Sequence, residues 1–399
     1  MFAKGVYLAG VCGMLVLWPD LDMDKFYGVM MRWPRTGGPI FASHFATWDA
    51  AHYLFLSELG YGPGVRSDAF YPLWPLLVRW VSALTGGHDV IVGMILANVL
   101  SAAAFVLFYA AAGRRFGESV AKWALVWLAV FPGSLFYQFL YSEPVFFLLV
   151  VGLWFGLERR RYGVAWVSAS MLPLARAVGV FCVLPIGWHL LMRRPVGPMR
   201  GWQWVERERE RMDAEGGSSP GLKPGGGMAD AGAAHGMPYG LLLAPLLGWG
   251  IYLALMWGWT ANPFEGIEAQ KYWGVHSVCN LWDVPKFVIG WFTPTQWHEF
   301  TGSTLDRLMF LVLVYTLPVI WRLGKDLVVW TYVLAILPAM SGTFTSYTRF
   351  ASEAFPMFLA LAVFFERRRM PLLKWGLFAT FAILHVVLLW RFVNFRWAG

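Results

Sequence analysis

The chain has 399 residues, of which 58% are hydrophobic and only 14% charged, with a mean hydropathy of +0.53. A soluble domain carries about a quarter of its residues as Asp, Glu, Lys and Arg, so this composition excludes a water-soluble globular protein. The net charge of +8 does not mark a nucleic-acid binder, because Arg and Lys fall in short clusters between apolar runs and form no basic stripe.

In chain order, apolar runs long enough to be read as spanning helices lie near 5–19, 89–112, 119–139, 143–158, 162–175, 177–192, 238–259, 306–321, 327–343, 350–365 and 372–391. They predict an all-α, polytopic membrane protein with about eleven spans. The first run follows Lys4 and lacks a small-residue cleavage site, so it reads as an uncleaved signal anchor. Residues 71–86 are apolar but interrupted by Pro72, Pro75 and Arg79, which predicts an interfacial or re-entrant helix. The basic clusters Arg114–Arg115, Arg159–Arg161, Arg193–Arg194, Arg322 with Lys325, and Arg367–Arg369 fall at alternate span ends. All are cytoplasmic if Lys4 is cytoplasmic and 71–86 does not cross. Cys12, Cys182 and Cys279 make no disulfide framework and read as small buried hydrophobes.

The chain reads as one domain over 1–399, with three long connections. Residues 193–237 hold alternating charge at Glu206–Arg211 and then a Gly/Pro/Ser tract, a flexible cytoplasmic linker. Residues 20–88 and 260–305 are extracytoplasmic and too aromatic to be disordered, so function is sought there.

In the first outer loop, Asp49, His52 and Tyr53 share a helix face after Trp48. Asp49 is placed to act as a general base, or else to complement a helix dipole behind an N-cap at Thr47. Asp68 closes the loop, as a site residue or as part of a turn. Phe131-Pro132-Gly133 breaks a span, and Tyr141-Ser142-Glu143-Pro144 starts the next with Ser142 at the N-cap. Glu143 is costly against lipid and so belongs in a cavity. Arg176 and Arg349 lie at outer span junctions, against the positive-inside tendency, and call for an anionic partner. They fit a clamp on a lipid phosphate, or pairs with Glu143 or Glu353. Gln270 and Trp273 in the second outer loop suit sugar hydroxyls and ring faces. Asp20-Leu21-Asp22-Met23-Asp24 has the spacing of a metal–diphosphate motif but lacks its strand–helix context, and reads as a solvated turn. His44 and His52 have no further ligands at metal spacing, and no P-loop, nucleophile elbow or zinc motif occurs.

These residues carry a resemblance to a known family. Trp48-Asp49 with Tyr53 and Gly60-Tyr61, Phe70-Tyr71-Pro72-Leu73-Trp74-Pro75, Phe131-Pro132, Tyr141-Ser142-Glu143, Ala175-Arg176-Ala177-Val178-Gly179, Asn262-Pro263-Phe264 to Gln270 and Trp273, and Arg349 to Pro356 occur in family order. Together they resemble the second mannosyltransferase of GPI-anchor assembly (the PIG-V family) and its bacterial homologues. The resemblance implies a GT-C glycosyltransferase fold with its site at the outer face. It implies a dolichyl- or polyprenyl-phosphate sugar as donor, typically mannose, and a lipid-linked or glycan acceptor. Transfer would be inverting, with no metal and no cofactor. By position, Asp49 corresponds to the acidic base of the first outer loop. The compact length and the Gly-rich insert at 216–227 favour a bacterial acceptor over a GPI precursor.

The reading is therefore a membrane glycosyltransferase of the bacterial cytoplasmic membrane, or of the endoplasmic reticulum if eukaryotic. Asp49 is the base, and Arg176 and Arg349 hold the donor phosphate. Trp48, His52, Tyr53, Asp68, Glu143, Gln270 and Trp273 border sugar and acceptor. The alternatives are a transporter or lipid flippase, disfavoured by the absence of paired inverted halves, and a non-catalytic lipid-binding subunit.

Overall fold

The computed structural model describes residues 2–192, 239–274, 278–293, 296–300, 303–342, 344–368 and 370–399. The linker at 193–237, Arg193–Arg194 and Arg369, and the side chain of Cys279, lie outside the described residues. All the predicted apolar runs form helices: α1 (Phe2–Leu17), α4 (Asp89–Phe116), α5 (Glu118–Val130), α6 (Glu143–Glu158), α7 (Tyr162–Ala175), α8 (Val183–Leu191), α9 (Leu243–Thr260), α10 (Thr304–Leu323), α11 (Lys325–Thr331), α13 (Phe355–Arg367) and α14 (Pro371–Val393). Between them come α2 (Asp49–Leu59) and α3 (Leu73–Thr85) in the first long connection, and the single turn α12 (Tyr347–Ala351).

Four helical stretches among the described residues are long and apolar enough to cross a bilayer unaided: Asp89–Phe116, Tyr239–Thr260, Thr304–Leu323 and Pro371–Val393. The bent pair Glu118–Val130 and Pro132–Gln138, turned by 85°, makes a fifth. The other expected spans are short or broken, for local reasons. Pro173 enters the last turn of α7, a π turn (Tyr332–Ile336) follows α11, and Ser346 adopts φ +60 before α12. The helix over 73–85 is only 13 residues long, which fits an interfacial element.

The break at Phe131-Pro132 opens backbone groups inside the bundle, and these need partners where water is absent. Asn98 Nδ2 donates to Gln138 O (2.9 Å), and His385 Nδ1 lies 3.0 Å from Phe131 O. Lys4 Nζ donates to Gln138 Oε1 (2.8 Å) and Ser101 Oγ (2.7 Å), while Tyr7 OH bonds the far nitrogen of His385 (2.8 Å). Lys4 is thus an internal donor beside the middle of α4. It is not a solvated flank, and the Arg clusters alone carry the charge asymmetry.

Helices α4 and α6 pack side by side and run parallel: Phe105 meets Phe147, Phe108 meets Trp154 and Arg115 meets Glu158. At their C-terminal ends Arg115 bonds Glu158 (2.5 Å) and grips Asp326 with two nitrogens (2.6 and 2.8 Å). Glu143 opens α6 at the opposite end, 15 steps earlier, or about 22 Å away at 1.5 Å per residue. The bundle therefore holds two separate charge clusters, one at each end of α6.

Candidate active site

The cluster around Glu143 is assembled from four segments. Asp49 is the first residue of α2, and the backbone turns into it at Trp48, where φ is +53 and ψ −121. A non-glycine residue in that region costs on the order of 1–3 kcal/mol and persists only where its surroundings hold it. Here they do. Trp48 Nε1 donates to Arg396 O (3.3 Å), and its ring packs edge-on against Trp397. The hydroxyl of Tyr141 donates to Thr47 O (3.2 Å) and receives Asp49 N–H (3.2 Å). Thr47 makes no side-chain cap, and its buried hydroxyl has no partner among the described residues.

Ser142 stands at the N-cap of α6 with Pro144 behind it, but its hydroxyl serves other groups. It accepts from Tyr53 OH (2.9 Å) and from Arg176 Nε (3.3 Å). Arg176 follows α7, where Gly179 lets the next turn fold back on Leu172; a Cβ on Gly179 would lie 2.3 Å from Leu172 O. Its Nη2 pairs with Glu143 (2.6 Å) and its Nη1 with Glu353 (2.5 Å). Arg349 projects from α12 and pairs with both Glu143 and Asp49. Its guanidinium lies 4.5 Å from the centre of the Tyr141 ring, which holds its plane.

Three carboxylates thus face two guanidiniums, an excess of one negative charge when all are ionised. Side-chain exposure is graded across the set: Glu143 0%, Glu353 3%, Arg349 8%, Arg176 13% and Asp49 21%. Asp49 is the member nearest solvent. Among the described residues, one oxygen of Glu143 is buried without a partner.

Of the expected site residues, Asp49, Tyr53, Glu143, Arg176 and Arg349 are brought together. His52, Asp68, Gln270 and Trp273 gather instead behind α2, where the two outer loops meet. His52 Nδ1 bonds Ser67 Oγ (2.8 Å), and its ring stacks on Phe70 and meets Trp273 edge-on. Burial pushes His52 down to about 4 despite nearby Asp49, so it is a neutral packing group at physiological pH. Gln270 Nε2 donates to Ala69 O (2.9 Å), and Trp273 Nε1 to Arg66 O (3.4 Å). Asp68 accepts Gly62 N–H (3.3 Å) and is pushed by burial up to about 7, while its other oxygen is buried with no partner among the described residues. Burial likewise raises Tyr53 to about 12, so it remains a hydroxyl donor.

Sequence reasoning left Tyr141 and Ser142 without site roles, although both lie in the quoted Tyr141-Ser142-Glu143 block. It also left out the buried Asp306, whose carboxylate accepts Thr348 N–H (2.6 Å) and secures α12 one residue from Arg349. The acidic turn at 20–24 has local duties: Asp22 caps Lys25 N (2.9 Å), and Asp20 pairs with Arg396 (2.7 Å). His44 bonds Val393 O (2.6 Å), away from His52. A separate apolar groove of about 610 Å³ runs between α8 and the start of the π turn, with Leu242 at its edge.

The family model described as mannosyltransferase (PIG-V) matches residues 40–194, which include Asp49, Tyr141, Ser142, Glu143 and Arg176. No curated protein matches the chain. Among solved structures, the chain is similar to the Archaeoglobus fulgidus oligosaccharyltransferase. With that protein tethered to an acceptor peptide containing an NVT sequon, identity is 14% and the TM-score 0.43, covering 100% of this chain and 55% of the other. With its apo form, identity is 12% and the TM-score 0.45, covering 100% and 56%. The chain spans about half the length of that enzyme.

Proposed function

We propose that this chain is a membrane glycosyltransferase of the PIG-V mannosyltransferase kind, the family whose model matches residues 40–194. The reaction is transfer of a hexose, mannose by family, from a polyprenyl- or dolichyl-phosphate carrier to a hydroxyl of a lipid-linked or glycan acceptor. The observation that carries the proposal is the convergence of Asp49, Glu143, Arg176 and Arg349 from four separate segments in one buried network, with the carboxylate of Asp49 at its exposed rim.

The chemistry follows from that order of burial. Asp49 takes the proton of the acceptor hydroxyl, and the oxygen attacks the anomeric carbon on the face opposite the phosphate. The new C–O bond forms as the bond to phosphate breaks, so configuration inverts. The leaving phosphate keeps the electron pair, and its developing charge is met by a guanidinium already held in place, with no reorganisation at the moment of reaction. The Arg-rich ends of α4 and α6 would be cytoplasmic and the site extracytoplasmic.

Purified Asp49→Asn, assayed with polyprenyl-phosphate mannose and a range of hydroxyl acceptors, should lose about 10²–10⁴-fold in transfer rate, the usual worth of a general base. Transfer within a few fold of wild type would remove Asp49 from that role.

A further inference from the structure

We infer that Arg349 is exchanged between Asp49 and the donor phosphate, so that donor binding is what releases the base, while Arg176 stays fixed as an internal counter-ion. The inference rests on the donor and on the base role of Asp49 proposed above, and divides labour between two arginines that the sequence treats alike.

The division comes from how each guanidinium is engaged. Every nitrogen of Arg176 is committed: Nε to Ser142, Nη1 to Glu353 and Nη2 to Glu143. Its two carboxylate partners are almost wholly enclosed, at 0% and 3% exposure, and have nowhere else to go. Withdrawing Arg176 would leave buried Glu353 unpaired and Glu143 with Arg349 alone, a heavy cost. Arg349 is engaged differently. Its Nε is anchored on buried Glu143, and its plane is held by Tyr141. Its Nη1 pairs with Asp49, the one carboxylate of the set with substantial exposure at 21%. Its Nη2 makes no hydrogen bond among the described residues. The outer edge of Arg349 is thus a two-nitrogen fork with one prong on a replaceable partner.

Charge decides what an incoming phosphate does there. Burial raises Glu353 to about 8, so at neutral pH the network is already close to charge balance, and a phosphodiester adds a negative charge to it. If Asp49 stayed on Arg349, phosphate and carboxylate would crowd one cation in a site of low polarity, where like charges repel strongly. If Asp49 swings out, the phosphate takes both Nη groups in the bidentate geometry that Arg favours, and Glu143 keeps the guanidinium in place through Nε. The released carboxylate has its lone pairs free for the acceptor hydroxyl. As sugar is transferred, the acceptor proton passes to Asp49 and the phosphate gains one negative charge on Arg349. Departure of the carrier phosphate lets Asp49 shed its proton to water and return to Arg349. A site without donor therefore keeps its base occupied.

The test is equilibrium binding of a short-chain polyprenyl phosphate, and of the matching polyprenol, to the full-length protein in detergent micelles. Wild type should prefer the phosphate. Asp49→Asn and Asp49→Ala, which remove the competing carboxylate, should bind the phosphate about tenfold more tightly and the polyprenol unchanged. In wild type, carbodiimide modification of Asp49, read by mass spectrometry, should rise severalfold on adding polyprenyl phosphate but not polyprenol. A wild type that prefers the phosphate, with no gain in affinity in either variant, overturns the exchange and leaves the donor assignment standing. So does protection of Asp49 by polyprenyl phosphate. A wild type that binds phosphate and polyprenol alike overturns the donor assignment as well.

Discussion

Gly133 offers the sharpest perturbation of the site that touches none of its charges. It lies in the turn Pro132–Gln138 that follows the broken span, with its α-carbon against the backbone of α12. A Cβ built there would sit 2.0 Å from Thr348 O, 2.7 Å from Thr348 C and 3.0 Å from Arg349 Cα. Ordinary contact distances for such atoms begin near about 3.4 Å, so Gly133→Ala requires one backbone to move by roughly 1.4 Å. No rotamer change can absorb this, because all three neighbours are main-chain atoms. The turn Pro132–Gln138 is held by Asn98 and α12 by Asp306, so the clash is shared between them and the part taken by α12 moves Arg349. Overpacking of this kind costs about 1–3 kcal/mol in stability. A displacement of about 1 Å at a positioning group costs on the order of 10²-fold in rate. Gly133→Ala should therefore fold with a modestly lowered unfolding midpoint and lose about 10²-fold in kcat for transfer from polyprenyl-phosphate mannose. Gly250→Ala, where an added Cβ meets nothing within 4 Å, is the matched control. A Gly133→Ala enzyme within about threefold of wild type would refute the claim that this contact sets the position of Arg349.

Glu143→Gln removes the carboxylate shared by Arg176 and Arg349 and should cost about 3–5 kcal/mol, since it leaves two buried guanidiniums short of a partner. Unfolding in mixed micelles at rising SDS fraction reads this directly, and a midpoint equal to wild type would contradict the buried network. Burial raises Asp68 in the folded protein to about 7, against about 3.9 for an unfolded chain. Between those values the folded state holds a proton that the unfolded state releases, so stability from this group falls as pH rises from about 4 through 7. Asp68→Asn should flatten that slope in unfolding midpoints measured across the same range, and an unchanged slope would show that Asp68 is not its source.

Much of this architecture is legible in one dimension because burial in lipid demands long apolar runs with satisfied backbones. Each apolar run became a helix, and Pro132, Pro173 and the polar junctions marked where helices stop or bend. Asp49, Glu143, Arg176 and Arg349 stood out because charges beside apolar segments are costly and rarely idle. Glu353, one turn beyond Arg349, was visible as a possible partner by the same reasoning. Tyr141 and Ser142 were not: a Ser before Glu-Pro reads as a cap, and nothing local says that its hydroxyl will instead receive Tyr53 and Arg176. His52 shared a helix face with Asp49 in the sequence pattern. Its ring nevertheless points to Ser67, Phe70 and Trp273, because the second outer loop closes over that side of α2.

The sequence by itself determined that the chain is helical, that it belongs in a membrane, and which charges needed explaining, since these depend on composition and spacing along one strand of chain. Tertiary structure alone decided that every nitrogen of Arg176 is engaged while Arg349 keeps Nη2 free of hydrogen bonds among the described residues, and that Asp49 sits at the rim. Those properties depend on which of four distant segments lies outermost. Two arginines that look equivalent in sequence differ in the burial of their carboxylate partners, and burial is set by packing.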